Sequence, residues 1–162
     1  MICDILLLGE PALYEVSAPV EPGEDVAELI ENLHDTLMEY RRVHGAGRAI
    51  AAPQIGVKKR LIYLYMDKPY VLINPSLSFP DKETYRLLDD CMSFPGLVVE
   101  VERYRRGELT YFDMEWKPRK LHLEGDWSEL VQHEYDHLDG ILATMRAVDS
   151  RAFYMKELRR FG

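Results

Sequence analysis

The chain has 162 residues, 47% of them hydrophobic, which is enough for one core and too little for a second full domain, so residues 1–162 read as one unit. Twenty Lys plus Arg against 28 Asp plus Glu leave a formal charge of −8, which repels a phosphate backbone and excludes general DNA binding from the expectations. The opening MICDILLLGE carries Asp4 in place of a basic stretch, and its apolar run of Ile5, Leu6, Leu7 and Leu8 is too short for a signal or membrane segment, so a cytoplasmic protein without membrane attachment is expected.

Between Asp25 and Val43 the apolar residues Val26, Leu29, Ile30, Leu33, Leu37 and Tyr40 recur at helical spacing and predict a first helix, ended by Gly45 and Gly47. The small-residue stretch GAGRAIAAPQIG, with Pro53 inside, reads as a close-packed loop or edge segment. Strand-like runs follow at 61–65, 70–75, 84–88 and 97–101, separated by prolines, and ELTYFDM and KLHLEG read as an antiparallel pair. A second helix runs from a cap at Asp126 or Ser128 to about Leu138, with Trp127, Leu130, Val131, Glu134 and His137 on one side and Asp139-Gly140 as its stop. A short third helix is expected over about 150–160. The fold class is therefore α+β, with short antiparallel strands around a central helix.

That central helix carries the chemistry. His133-Glu134-Tyr135-Asp136-His137 is an HExxH pattern, and on a helix its two imidazoles lie one turn apart on one face, placed to share a metal ion. Glu134 beside them can take a proton from a water acidified by the cation and return it to a leaving amine, which is hydrolytic chemistry. A catalytic metal usually has three protein ligands. Downstream, Asp139, Asp149 and Glu157 do not complete a metzincin pattern, so an ordinary zinc metalloprotease is the weaker option. Upstream, Cys91 lies in a polar loop, DDCMSFPG, and a thiolate there is a candidate third ligand, although a single Cys is also a common small buried hydrophobe. With only Cys3 and Cys91 present, no disulfide framework is expected.

Three separated segments resemble the three motifs of the peptide deformylases. QHEYDH at 132–137 matches QHExDH, GRAIAAPQ at 47–54 resembles GxGLAAPQ, and DDCMS at 89–93 resembles EGCLS. Their order fits, as do ILLLGEPAL at the start and HLDGIL after the last histidine, so the resemblance covers nearly the whole chain. It implies a peptide-deformylase-like fold and a hydrolase that removes the N-formyl group from the formyl-methionine of nascent polypeptides, releasing formate. It also implies Cys91, His133 and His137 as metal ligands, with Fe(II) the usual ion and Zn, Ni or Co as substitutes. Glu134 becomes the general acid/base, Gln54 and the Met92 backbone N–H become the oxyanion donors, and Gly47, Arg48, Ala49 and Ile50 line the substrate. The implied partner is an N-formyl-methionyl peptide, as a nascent chain at the ribosome.

The departures from the motifs are specific. Ala49 replaces a glycine, Arg48 replaces an apolar residue, Asp89 replaces Glu, and Asp90 replaces the glycine before the ligand cysteine. Asp126 and Glu129 precede QH where the family places apolar residues that line the methionine pocket, so an inward Glu129 or Asp126 implies a side chain other than methionine. Carboxylates at 89 and 90 would favour a dication and disfavour anions such as formate, unless they point to water. Asp136 is either a second carboxylate orienting a ligand imidazole or a surface residue. Two alternatives follow: an amide hydrolase for another N-acyl group, or a metal-binding relative without turnover.

Overall fold

The computed structural model describes residues 1–158. Helix α1 (Ala27–His44) is followed by strands β1 (Ala49–Ala51), β2 (Leu61–Tyr65), β3 (Pro69–Ser78), β4 (Thr84–Asp89), β5 (Leu97–Tyr104), β6 (Arg106–Phe112) and β7 (Pro118–Glu124), then helix α2 (Asp126–Leu138) and strand β8 (Phe153–Met155). Five strands form one antiparallel sheet in the order β1-β2-β3-β6-β7, and β4-β5-β8 form a second.

The apolar runs are continuous because the larger sheet is buried on both faces. Side chains alternate across a strand, so Ala49, Ala51, Ile62, Leu64 and Leu72 face α2 with Leu130, Val131 and Leu138. Their neighbours Ile50, Leu61, Tyr63, Val71 and Ile73 face α1 with Leu33 and Leu37. A third cluster, Phe94, Val99, Val101 and Ala143, places Cys91 against the smaller sheet. Helix α2 packs on β1, β5 and β7 and is buried from Ser128 to Leu138 except at Tyr135 and so is the central helix of the α+β fold.

Several local expectations change. Of the two readings of the stretch after α1, loop or edge segment, the structure has the edge strand β1, followed by a 3-10 turn, Ala52–Ile55. Helix α2 starts after Gly125 (φ 59°) with no side-chain cap, because the chain turns directly out of β7 and the Ser128 hydroxyl donates instead to Tyr104 O at 2.8 Å. The third helix is replaced by β8, which pairs with β5, and a 3-10 turn, Lys156–Leu158; the end of the expected helix lies outside the described residues.

Candidate active site

Helix α2 is anchored to the end of β5 before it presents any chemistry. Gln132 Nε2 donates to Tyr104 O at 2.9 Å, and its Oε1 accepts from Tyr104 N–H at 3.1 Å, so the first residue of the QHEYDH motif fixes the helix rather than the reaction. His133 and His137, one turn apart, stand with ring centroids 5.1 Å from each other. The loop after β4 brings Cys91 to them, with Sγ 3.3 Å from His137 Nε2. The candidate ligand atoms of Cys91, His133 and His137 all lie within 4.8 Å of one another, and all three residues are buried. Cys3 is elsewhere, its backbone N–H donating to Thr36 Oγ1 at 2.9 Å.

This set fits a divalent metal. A thiolate and two imidazoles are the donor types that zinc and iron accept, and the imidazoles are prepared differently. Asp89 Oδ2 sits 2.9 Å from His133 Nδ1 and leaves Nε2 for a ligand bond, the carboxylate–histidine arrangement common behind metals. Burial opposes charge on His133, but the neighbouring Asp89 and Cys91 outweigh it and hold its pKa well above the ordinary value. Burial and the neighbouring His133 keep His137 well below its ordinary pKa, hence neutral as a ligand must be.

Asp89 itself, 5% exposed, belongs to a longer series. Burial would raise its pKa, but His133 and Arg103 hold it below the usual carboxylate range. Arg103 Nη2 is 3.2 Å from Asp89 and its Nη1 2.8 Å from Asp136, which Arg146 also holds at 2.5 Å. Asp136 is thus buried and reaches His133, a candidate ligand, through Arg103 and Asp89; it is not a surface residue. Asp90, next in the chain, is the outward one, 56% exposed and paired with Lys156 at 2.8 Å. Strand alternation sends adjacent carboxylates to opposite environments.

Glu134 is fully buried, with Oε1 lacking a hydrogen-bond partner among the described residues. Burial, opposed by His133, pushes its pKa up to about 7, in the range where a carboxylate exchanges protons efficiently at neutral pH. Gln54 stands across the cluster. Its Oε1 accepts from Ala51 N–H at 2.9 Å, which orients the amide, and its Nε2 lies 3.6 Å from Cys91 Sγ and 3.1 Å from Ser93 Oγ.

A cavity of about 780 Å³ opens on these groups, lined among others by Gly47, Arg48, Ala49, Gln54, Cys91, Met92, His133 and Glu134. Of the four residues expected along the substrate, Ile50 is not in the wall. It is fully buried on the α1 face, because the alternation that turns Ala49 and Ala51 toward α2 turns Ile50 away. Gly47 has φ 138°, and a Cβ there would come within 3.2 Å of Tyr40, so this first glycine of the motif is required by backbone and space. Ala49 and Asp90 have no positive φ, so neither position needs the glycine it replaces. Glu129 is the buried carboxylate of the two before QH, 5% exposed and bonded to Arg48 Nη2 at 2.8 Å, whereas Asp126 is exposed.

Arg103, Arg146, Ser93 and Lys156 were not among the expected site residues. Ser93 closes the DDCMS motif, whereas no local pattern marks Arg103, Arg146 or Lys156, which enter through pairing of distant segments.

The polypeptide deformylase family model matches residues 2–152. A peptide deformylase of Thermus thermophilus is 35% identical over 160 residues, covering 88% of this chain and 80% of its own. One from Orientia tsutsugamushi (strain Boryong) is 32% identical over 157 residues, covering 87% and 84%. The crystal structure of peptide deformylase from Thermotoga maritima superposes with a TM-score of 0.84 at 31% identity, covering 92% of this chain and 99% of that one. With the motifs, the fold and these matches in agreement, the chain belongs to the polypeptide deformylase family.

Proposed function

We propose that Cys91, His133 and His137 hold the metal with which this hydrolase removes the formyl group from N-formyl-methionyl peptides, and that Glu134, Gln54 and Met92 carry the reaction. The observation that supports this most is the convergence of a thiol and two imidazoles within 4.8 Å of one another, beside a buried carboxylate with an unpartnered oxygen. A divalent ion in that set supplies Lewis acidity, polarising the formyl oxygen and acidifying a water. The protein's own groups do the rest. Glu134, with a pKa of about 7, takes the proton of the attacking water and gives it to the leaving amine, so one carboxylate serves both halves of the reaction. The Gln54 amide, held by Ala51, and the Met92 backbone N–H donate to the formyl oxygen as it gains negative charge. Formate and a free amino terminus leave. Gly47, Arg48 and Ala49 line the path of the peptide.

Fe(II) is the ion we assign, with Zn, Ni or Co as replacements, because a thiolate with two neutral imidazoles accepts all four. The match over 2–152 supports reading the chain as one catalytic domain. We place it in the cytoplasm on nascent chains at the ribosome, a reading in line with no described helix being long and apolar enough to cross a membrane.

Formate release from an N-formyl-methionyl tripeptide, by anaerobic Fe(II)-loaded protein beside Glu134→Ala, tests the assignment. Turnover by the wild type and a loss of about 10²–10⁴-fold in the variant are expected. Equal rates would remove Glu134 from its role, and stoichiometric metal with no turnover would leave a binding relative.

A further inference from the structure

Arg48 and Glu129 make a polar bridge between the residue before β1 and α2, with Arg48 on the cavity wall. Arg48 begins the segment leading into β1, and Glu129 stands on α2 one turn before His133, so the bridge lies on the same helix face as the ligand histidine. Glu129 is 5% exposed, while the Arg48 side chain is 43% exposed and lines the cavity. The bond from Nη2 to Glu129 Oε1, 2.8 Å long, is the one side-chain hydrogen bond of Arg48 within the described residues. A guanidinium has five N–H donors in a fixed fork, so donors remain on a side chain that lines the cavity. The alkyl stem of Arg48, with Ala49 and Leu130, supplies an apolar wall up to that point.

The residue carrying the formyl group must approach this bridge. Its Cα is two bonds from the formyl carbon, about 2.5 Å away, so its side chain starts beside the Cys91, His133 and His137 cluster and extends within the same cavity. Resting on the proposed deformylase reaction, we infer that the Arg48–Glu129 bridge is a specificity determinant. It selects, next to the formyl group, a neutral side chain ending in a strong hydrogen-bond acceptor, such as glutamine or methionine sulfoxide, over an apolar chain of the same length. Methionine, whose thioether is a weak acceptor, falls between them. An acidic side chain is disfavoured by the carboxylates that surround Arg48, namely Glu129, Asp126 and Asp90. A basic one would have to approach a guanidinium whose bonded carboxylate is already engaged.

The test compares formyl-X-Ala-Ser peptides with X as glutamine, methionine sulfoxide, methionine or norleucine, using metal-loaded wild type and the charge-free double variant Arg48→Met/Glu129→Met. In parallel, the deformylated products are titrated calorimetrically, which reads selection without turnover. In the wild type the sulfoxide and glutamine peptides are favoured over norleucine on the order of tenfold, mainly through KM and product affinity. In the double variant the order reverses. Arg48→Lys, which keeps the charge but not the fork, retains only part of the preference and decides the matter if the double variant does not fold. An unchanged ratio between glutamine and norleucine in turnover and in product binding overturns the inference while formyl-methionine cleavage leaves the deformylase reading standing. Cleavage of no peptide overturns that reading, and the product affinities still decide the role of the bridge.

Discussion

Charged side chains flank the active site in two places, and they differ in what else could solvate them. Behind α2, the series His133, Asp89, Arg103, Asp136 and Arg146 is buried except at its last member, with Arg103 only 3% exposed. At the cavity mouth, Arg48–Glu129 and Lys156–Asp90 have cations 43% and 40% exposed. In the first region each charge is compensated by its neighbours, so removing an inner member weakens the compensation of another in low dielectric. In the second, water reaches the cations and Asp90 and can replace a lost partner there, while Glu129 alone is buried. The buried series therefore fixes the geometry of His133, and the mouth is where charge is free to meet solutes entering the cavity.

The sharpest way to break this contrast is Arg103→Met. It removes the cation that Asp89 and Asp136 share and leaves His133 to the first and Arg146 to the second, so a loss below the full penalty of a stranded buried charge, about 2–3 kcal/mol, is expected in urea unfolding. Wild-type stability would mean that the two carboxylates find other compensation and the series is not a unit. A second substitution uses the neighbouring pair of aspartates. Asp89→Asn weakens the fixing of His133 and lowers metal affinity about 10–100-fold in chelator competition, whereas Asp90→Asn, one residue on but 56% exposed, leaves it unchanged. Equal effects at both positions would erase the distinction between inside and mouth.

The Arg48–Glu129 pair lies between these extremes and grades the comparison. Arg48→Met alone strands a carboxylate that is 5% exposed, yet its partner is 43% exposed, so the expected cost is about 1–2 kcal/mol rather than the full penalty of a buried pair. Removing both charges in Arg48→Met/Glu129→Met returns stability to within about 1 kcal/mol of the wild type. Thermal unfolding of the three proteins checks this order.

The same division explains what could be read from the chain. Local periodicity carries α1, α2 and six of the eight strands, because each buries a face whose spacing is written in consecutive residues, while the three-residue β1 is too short to show a period. It fails at residues 153–155, where exposed Phe153 and Met155 become strand β8 only because β5 offers an edge. It also misplaces the cap of α2, where tertiary bonding takes Ser128 to Tyr104. At the site, the His133, Glu134 and His137 triplet is legible because helical spacing alone puts it on one face. The resemblance, rather than any local rule, singles out Cys91 and Gln54. Asp136 and Asp89 stayed ambiguous because their meaning depends on Arg103, which reaches them from a different strand. Ile50 was misassigned for the opposite reason: a motif treats neighbours alike, and a pleated strand does not.

The weakest expected effect concerns the other mouth pair. Asp90 adds a carboxylate beside the ligand cysteine, and on charge alone it opposes the binding of formate. Lys156, brought by the segment after β8, stands 2.8 Å away and offsets that charge. With both groups about half exposed, the pair contributes little to folding, and Lys156→Ala should shift stability by less than about 0.5 kcal/mol. Its effect belongs to the product: without Lys156 the Asp90 charge is uncompensated, and the inhibition constant for formate should rise about two- to fivefold at low ionic strength. Asp90→Gly should move it the other way. Because charges at an exposed mouth are screened over about 10 Å at 0.1 M salt and about 3 Å at 1 M, both shifts should vanish in concentrated salt. A shift that survives 1 M salt would mean that Lys156 touches formate directly, and a constant unmoved at low salt would mean that the mouth does not govern release of the product.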